Sequence, residues 1–135
     1  MNYERLGIFG IDEVLDYIGP VAKEYLGKRV KMGSQRYELF KHKGTRCVKC
    51  GLEGTFFALE KDKKNRQNLH DRYHFNLYGF NENGKEVMLT KDHIVPRSKG
   101  GKNELGNYQT MCTKCNWGKG NKEEEQVFYL LNDFS

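Results

Sequence analysis

Long apolar runs are missing from this sequence, and their absence excludes a protein that spans a membrane with helices. Hydrophobic residues make up 37% of the 135 residues, and the mean hydropathy is -0.83. No stretch approaches the roughly 18 consecutive apolar residues that a membrane-spanning helix needs. The N-terminus also lacks the basic start and long apolar run of a secretory signal peptide. We therefore expect an intracellular, cytoplasmic protein of one compact domain.

Aromatic residues distinguish the chain from disordered sequences of similar polarity. They make up 13% of the residues, with eight Tyr, eight Phe and one Trp. Disordered segments carry few aromatic residues, because such segments cannot bury enough apolar surface to offset the loss of chain entropy. The composition therefore predicts a folded chain.

Positive charge is concentrated in the middle of the chain. Lys and Arg total 23 against 18 Asp and Glu, which gives a net charge of +5. Residues 41–121 hold sixteen basic and eight acidic side chains, whereas residues 1–40 are balanced and residues 122–135 are acidic. A basic segment of this kind is typical of a nucleic-acid-binding surface, although many solvated surfaces are also basic.

Four cysteines form two pairs with the same short spacing. Cys47 and Cys50 lie in one CxxC motif, and Cys112 and Cys115 lie in a second. Two thiolates separated by two residues on a tight turn can both face one ion, and a second such turn completes a tetrahedral zinc site. Because disulfides are rare inside cells, we interpret the four cysteines as ligands of one structural Zn²⁺. Two redox CxxC motifs or four buried thiols are the alternatives.

Residues 1–44 carry apolar residues at helical spacing and predict a helical packing segment. The expected elements are two short helices, a brief strand and a helix capped by Ser34, over residues 11–18, 21–26, 29–32 and 34–44. The default role of this segment is packing. DNA contact by Arg29, Lys31 or Arg36 is the alternative.

The clearest strand signal lies in the middle of the chain. Residues 73–80 and 86–90 predict two strands, and Asn81–Gly84 between them predicts a hairpin turn. Residues 108–111 predict a short strand that leads into the second CxxC motif. Beyond it, Asn121 is expected to cap a C-terminal helix.

An Asp-His pair follows the second strand of this hairpin. On a strand the side chains of Asp92 and His93 point to opposite sides and can serve different roles, one with a metal and one with a proton. An ordinary histidine has a pKa of about 6.5, so near neutral pH much of it is neutral and can accept a proton from water. Asn116 directly follows a predicted zinc ligand and would supply an amide oxygen. A carboxylate and an amide oxygen together suit Mg²⁺ or Mn²⁺.

Five spaced elements resemble one family of nucleases. They are the run DHIVPRSKGG at residues 92–101, Asn107 fourteen residues after His93, Asn116 nine residues later, and the two cysteine pairs. Together they are similar to the HNH endonucleases, and the cysteine pairs are similar to the zinc-bound branch of that family. Asn116 directly after the last cysteine resembles the phage endonuclease VII type of junction resolvase. The resemblance implies an α+β fold, with a small ββα-metal (His-Me finger) core, a structural zinc site of four cysteines and short flanking helices. The zinc-bound core would occupy residues 45–121, between the N-terminal segment and a C-terminal helix over residues 122–135.

The resemblance also implies a role for each matching residue. His93 corresponds to the general base that deprotonates a water molecule, and Asp92 and Asn116 correspond to ligands of the catalytic divalent ion. Asn107 corresponds to a structural Asn that fixes the loop and orients the His93 ring. Asn116 stands where many members have His, which favours Mg²⁺ or Mn²⁺ over Zn²⁺ at this position. The implied activity is hydrolysis of DNA phosphodiester bonds, in a bacterium or a phage-infected host.

The sequence leaves the surface contacts and the assembly of the chain open. Arg97, Lys99 and Lys119 are candidate phosphate contacts, and a solvated surface role suits them equally well. Trp117 is expected to pack rather than to stack on a base. The chain could act as a monomer or as a homodimer. The alternative function is a zinc-ribbon module that binds nucleic acid without catalysis, and it predicts that replacing His93 has no effect.

Overall fold

A computed structural model describes residues 2–63 and 72–119 of the chain. The elements in these residues are, in chain order, β1 (Tyr3–Phe9), α1 (Ile11–Leu15), β2 (Lys23–Tyr25), β3 (Lys28–Val30), α2 (Gln35–Lys43), β4 (Phe56–Asp62), β5 (His74–Phe80), β6 (Glu86–His93), β7 (Tyr108–Cys112) and α3 (Thr113–Lys119). The predicted α+β class is confirmed. In the part of the chain that is described, no helix is long and apolar enough to cross a membrane.

Five strands form one antiparallel sheet in the order β1-β4-β5-β6-β7. β5 and β6 are the predicted hairpin, and its turn is closed by Asn81, whose side-chain oxygen accepts two backbone hydrogen bonds at 2.9 and 3.0 Å. Gly84 in this turn has a φ of 75°, in the left-handed region that glycine adopts without strain. The hairpin brings the start of β5 and the end of β6 to the same end of the sheet, where Asp92 and His93 lie.

The helical description of residues 1–44 is wrong in part. The predicted helix over residues 21–26 is instead β2, which pairs with β3 through a two-residue turn. Leu26 and Gly27 form this turn with φ values of 50° and 77°, the conformation that suits the right-handed twist of a tight hairpin. β1 was not predicted at all, and it pairs with β4 at the edge of the main sheet.

α1 and α2 cover one face of the sheet and bury a largely aromatic core with it. The prediction of a capped helix is confirmed for α2, because the Ser34 hydroxyl oxygen accepts a hydrogen bond from the backbone N–H of Arg36 at 3.0 Å. The Tyr37 hydroxyl on α2 accepts a hydrogen bond from the backbone N–H of Phe75 at 2.9 Å. The large side chains buried here are Tyr37, Phe40, Phe57 and Phe75.

The opposite face of the sheet carries a buried carboxylate. Glu60 is 0% exposed and accepts hydrogen bonds from Arg5 Nε at 2.8 Å, Asn76 Nδ2 at 2.8 Å and the Tyr78 hydroxyl at 2.6 Å. Burial raises the pKa of Tyr78, and its bond to Glu60 adds to this. Arg5 also forms two hydrogen bonds to Glu86 on β6. The cluster therefore joins β1, β4, β5 and β6.

The predicted C-terminal helix that begins at Asn121 lies outside the described residues. The division into segments 1–44, 45–121 and 122–135 stays a prediction. β1 nevertheless links the first segment to the second, since it hydrogen-bonds along β4.

Candidate active site and metal centre

β6, β7 and α3 follow one another as two antiparallel strands and a helix, with a fourteen-residue connection over residues 94–107 between the strands. The connection turns tightly at Gly101, whose backbone N–H donates to the Pro96 oxygen at 2.9 Å. A Cβ at Gly101 would lie 1.8 Å from the Val95 oxygen, so only glycine fits at this position. The turn sets the path of the chain directly after His93.

The side-chain oxygen and the side-chain nitrogen of Asn107 both form hydrogen bonds to the backbone of this connection. Its Oδ1 accepts a hydrogen bond from the backbone N–H of Val95 at 2.9 Å. Its Nδ2 donates to the carbonyl oxygens of Val95 at 3.1 Å and Lys102 at 2.9 Å. The backbone oxygen of Asn107 also accepts from the N–H of Ile94 at 2.8 Å. Asn107 thereby fixes the backbone from which the His93 side chain projects.

The His93 ring contacts Asn103 and Tyr108. Its Nε2 lies 2.8 Å from Asn103 Oδ1, and its ring meets the Tyr108 ring edge-on, with centroids 5.0 Å apart. Because an amide oxygen only accepts hydrogen bonds, Nε2 is the donor in this contact. Asn103 is not among the site residues predicted from the sequence, since Asn in a Gly-rich loop normally indicates a turn.

The Asp92 carboxylate points to the other side of β6 and is 7% exposed. Its Oδ2 accepts a hydrogen bond from Gln109 Nε2 at 3.0 Å and forms an ion pair with Lys119 Nζ. Lys119 Nζ also donates to the main-chain oxygen of His93 at 2.9 Å. Among the described residues, none donates a hydrogen bond to Asp92 Oδ1. One carboxylate oxygen is therefore satisfied and the other is available for a ligand.

Asn116 lies on α3 above the same side of β6. Its Nδ2 donates to the Thr90 hydroxyl oxygen at 3.1 Å, and Thr90 in turn donates to the Met111 carbonyl at 2.8 Å. Thr90 and Asp92 are two residues apart on β6, so both face α3. Within the described ranges no donor reaches Asn116 Oδ1. The next residue, Trp117, is 83% exposed, so the expectation that it packs is wrong for the described part of the chain.

The four cysteine sulfurs come together between the first CxxC loop and the junction of β7 with α3. The ligand atoms of Cys47, Cys50, Cys112 and Cys115 all lie within 4.8 Å of one another. The Sγ atoms of Cys50 and Cys112 are 3.8 Å apart. Zn–S bonds of about 2.3 Å in a tetrahedron require sulfurs about 3.8 Å apart, so the cluster fits a zinc ion.

The thiols of this cluster do not ionise equally. Burial opposes ionisation of Cys47, but hydrogen bonds from backbone N–H groups, first that of Cys112, lower its pKa to about 7. Burial raises the pKa of Cys112 and of Cys115. A divalent cation shared by the four sulfurs would favour the thiolate form of all of them.

The three basic residues proposed as phosphate contacts lie in different environments. Arg97 and Lys99 are exposed, in a single 3-10 turn directly after Pro96. Lys119 is 1% exposed and paired with Asp92. A buried, paired ammonium does not contact phosphate, so the expectation for Lys119 is corrected by the structure.

The structure places two further polar residues at the site that sequence reasoning missed. Gln109 and Thr90 hold Asp92 and Asn116, and they are ordinary strand residues in the sequence. Register could have indicated Gln109, because it lies directly opposite Asp92 in the β6–β7 pair.

Comparison with known proteins identifies the family of this segment. Residues 81–128 match the family model described as HNH endonuclease. The match includes Asp92, His93 and the second cysteine pair, whereas Cys47 and Cys50 lie outside it. No curated protein and no solved structure matches the chain. The part of the chain that forms the β6–β7–α3 unit therefore belongs to the HNH endonuclease family, which indicates nuclease activity on a nucleic acid.

Proposed function

We propose that this chain is a metal-dependent endonuclease that hydrolyses DNA phosphodiester bonds. The observation that carries the proposal is that Asp92 and Asn116 lie on the side of β6 that faces α3, while His93 projects from the other side of the same strand end. The basic excess of residues 41–121 supports a polyanionic substrate.

His93 would act as the general base. Since Nε2 is the donor to Asn103 Oδ1, Nδ1 of a neutral ring would take the proton from the attacking water molecule. The ring then becomes a cation, and its hydrogen bond to Asn103 Oδ1 would strengthen because the donor is charged. Tyr108 restricts rotation of the ring, and Asn107 fixes the backbone that carries it. These contacts keep the base in one orientation before substrate arrives.

Asp92 and Asn116 would hold a catalytic Mg²⁺ or Mn²⁺. The fit rests on one carboxylate oxygen and one amide oxygen that accept no hydrogen bond from the described residues. Mg²⁺ commonly takes one or two protein carboxylates and completes its shell with water and substrate phosphate oxygens. When bound, the ion would stabilise the negative charge that develops on phosphate in the transition state. Within the described residues the four cysteines are the one cluster of three or more His, Cys, Asp or Glu side chains suited to an ion.

Gln109 and Lys119 would position Asp92 through its other oxygen. Their two contacts fix the rotation of the carboxylate, so that Oδ1 is presented on the side of β6 that faces α3. Zinc would have a structural role in this arrangement. Cys112 ends β7 and Cys115 lies on α3, so the ion would fix the helix that carries Asn116 and Lys119.

The test is a cleavage assay with purified full-length protein. Supercoiled plasmid, single strands and four-way junctions are incubated with Mg²⁺ or Mn²⁺, and His93→Ala serves as the control. We expect the wild-type chain to nick or cut DNA and His93→Ala to lose at least about 100-fold in rate, the usual contribution of a general base. Equal cleavage by the two proteins, at equal melting temperature, would remove the assignment.

The ion pair between Lys119 and Asp92 favours a second candidate, a zinc-stabilised module that binds nucleic acid without cleaving it. In this case the Lys119 ammonium neutralises the Asp92 carboxylate permanently, so no divalent ion binds there. The module predicts retention of DNA in a gel shift, no cleavage with any divalent ion, and unchanged binding by His93→Ala.

A further inference from the structure

A basic cleft lies at the end of the sheet that carries the catalytic pair. It has a volume of about 780 Å³, and its walls come from two separate parts of the chain. Arg29 and Lys31, together with the turn at Gly19, form one wall. Arg72 and His74, at the start of β5, form the other. These residues lie outside the segment 81–128 that matches the HNH family.

The charged residues that line this cleft, among those that the structure describes, are basic. Arg29, Lys31 and Arg72 are all exposed, and no Asp or Glu is among the described lining residues. Glu24, which is opposite Arg29 in the β2–β3 hairpin, does not line the cleft. Three cations close together on a concave surface attract a polyanion.

The walls of the cleft are fixed by backbone contacts. The N–H of Gly19 donates to the Met32 oxygen at 3.0 Å, which holds the turn against the residues that follow β3. Arg36 Nη2 on α2 donates to the Phe75 carbonyl at 2.5 Å, next to His74. Hydrogen bonds therefore hold the backbone of both walls of the cleft in place before a ligand binds.

The cleft is adjacent to the proposed active site. β5 and β6 are antiparallel neighbours, so His74 at the start of β5 lies at the same end of the sheet as Asp92 and His93. The beginning of α2 lies between the cleft and His93. Gln35 Oε1 accepts from the Tyr108 hydroxyl at 2.8 Å, and Tyr108 contacts the His93 ring. A ligand long enough to pass the start of α2 can reach the cleft and His93 together.

The chemistry of the cleft favours phosphate over bases as the group that it binds. Tyr73, its aromatic lining residue, is only 7% exposed. Its ring has the ammonium groups of Lys28 and Lys61 at 5.2 and 5.4 Å from its centroid. A ring covered in this way offers no open face for a base to stack on. Contacts from Arg and Lys to phosphate position a nucleic acid without reading its sequence.

We propose that this basic cleft binds the sugar–phosphate backbone of the nucleic acid substrate beside the scissile phosphate. The proposal rests on the proposed nuclease function and assigns residues 19–33 and 72–74 a part in substrate binding. A nucleic acid strand carries a phosphate at about every 3.4 Å of helix rise, so a strand seated at His93 presents further phosphates to either side. The cleft would hold those on the side of β5, and binding there would be independent of sequence.

The experiment measures binding and cleavage separately in the full-length chain. Binding of a fluorescent DNA duplex of about 20 base pairs is followed by anisotropy with His93→Ala protein, which leaves the probe intact, at several salt concentrations. Arg29→Gln, Lys31→Gln and Arg72→Gln are each added to this background. Lys85→Gln, in the turn at the opposite end of the sheet, is the matched control for loss of one exposed charge.

We expect each cleft substitution to weaken binding about five- to eightfold at about 0.1 M salt and to reduce the salt slope by about 0.7 to 0.9, as the loss of one phosphate contact does. Lys85→Gln should change neither quantity by more than about twofold. In the wild-type background the same substitutions should raise KM and leave kcat unchanged, because the cleft touches no reacting atom. Melting temperatures should match, since the three side chains are exposed.

Two outcomes would overturn the inference. In one, the cleft variants bind the duplex as tightly as the Lys85→Gln control while the wild-type chain cleaves DNA, so the proposed function stands and the cleft has no part in it. In the other, millimolar inorganic phosphate removes the effect of the substitutions at constant ionic strength, which identifies a pocket for a free anion. Failure of the proposed function itself gives a different result, with no cleavage by the wild-type chain and no dependence on His93.

Discussion

Glu60 and Asp92 are buried on the same face of the sheet but are satisfied to different degrees. The register from β4 through β5 to β6 and the alternation of side chains place both on the face opposite α1 and α2. Both oxygens of Glu60 accept hydrogen bonds, from one residue on β1 and two on β5. Asp92 has donors at one oxygen only among the described residues, from Gln109 and Lys119.

The number of hydrogen bonds to a buried carboxylate indicates whether it can still bind a further ligand. A fully satisfied, 0% exposed carboxylate such as Glu60 has no capacity for a further ligand, and it ties strands together. Asp92 lies at the end of a strand, and among the described residues no donor reaches its second oxygen, which is the atom proposed to bind a metal ion. A zinc ion at the cysteine cluster would affect the two unequally, because Cys112 and Cys115 lie at the junction of β7 and α3 beside Asp92 and not on the strands around Glu60. The substitutions below are ordered by their expected effect on the free energy of unfolding.

Cys50→Ser should have the largest effect. Losing one of four thiolates removes most of a binding free energy on the order of 10 kcal/mol, which is comparable to the whole stability of a small domain. We expect unfolding that begins around Asp92 and extends to the Glu60 cluster. Circular dichroism and metal analysis measure the effect, and wild-type protein that contains no zinc would contradict it.

Lys119→Met should destabilise the chain by about 3–5 kcal/mol, because it leaves the Asp92 carboxylate buried without its cation. Urea unfolding provides the measurement. In an Asp92→Asn background the same substitution should cost clearly less, since the neutral amide needs no counter-charge. Equal costs in both backgrounds would mean that the ion pair does not determine the stability of this region.

Glu60→Gln should cost about 2–3 kcal/mol, as the amide can no longer accept every hydrogen bond from Arg5, Asn76 and Tyr78. Arg5 keeps its bonds to Glu86, which limits the loss. Glu86→Gln is the matched control, and its more exposed ion pair should cost no more than about 1 kcal/mol. If Glu60→Gln abolished cleavage without destabilising the chain, the division between a structural and a chemical carboxylate would fail.

Arg97→Gln should have the smallest effect on stability, within about 0.5 kcal/mol, because the residue is exposed. In the cleavage assay it should raise KM if Arg97 contacts phosphate. An unchanged KM together with an unchanged melting temperature would assign Arg97 to the solvated surface.

Local patterns in the sequence predicted the elements that depend on neighbouring residues. The β5–β6 hairpin follows from Asn81–Gly84, α2 follows from its Ser34 cap, and the clustered thiols follow from CxxC spacing. In each case the chemistry acts over a few residues, so it can be read without the fold.

Strand β1 was not predicted because its apolar residues are not the ones that face inward. Its apolar residues Leu6 and Ile8 are 39% and 62% exposed, whereas Arg5 on the alternate side is drawn inward by Glu60. The helix expected over residues 21–26 failed because Leu26 adopts a positive φ, which only the pairing of β2 with β3 explains.

By itself, the sequence determined the two cysteine pairs, the hairpin and the family resemblance, because each depends on residue type and short spacing. The tertiary structure alone decided which charges meet. Lys119 lies 27 positions from Asp92 in the chain and Glu60 lies 55 from Arg5, and no local rule pairs them. The basic cleft likewise exists only because the fold brings residues 29–31 of the β2–β3 hairpin next to residues 72–74 at the start of β5. Burial makes such distant pairs strong, and chain folding, rather than spacing, selects them.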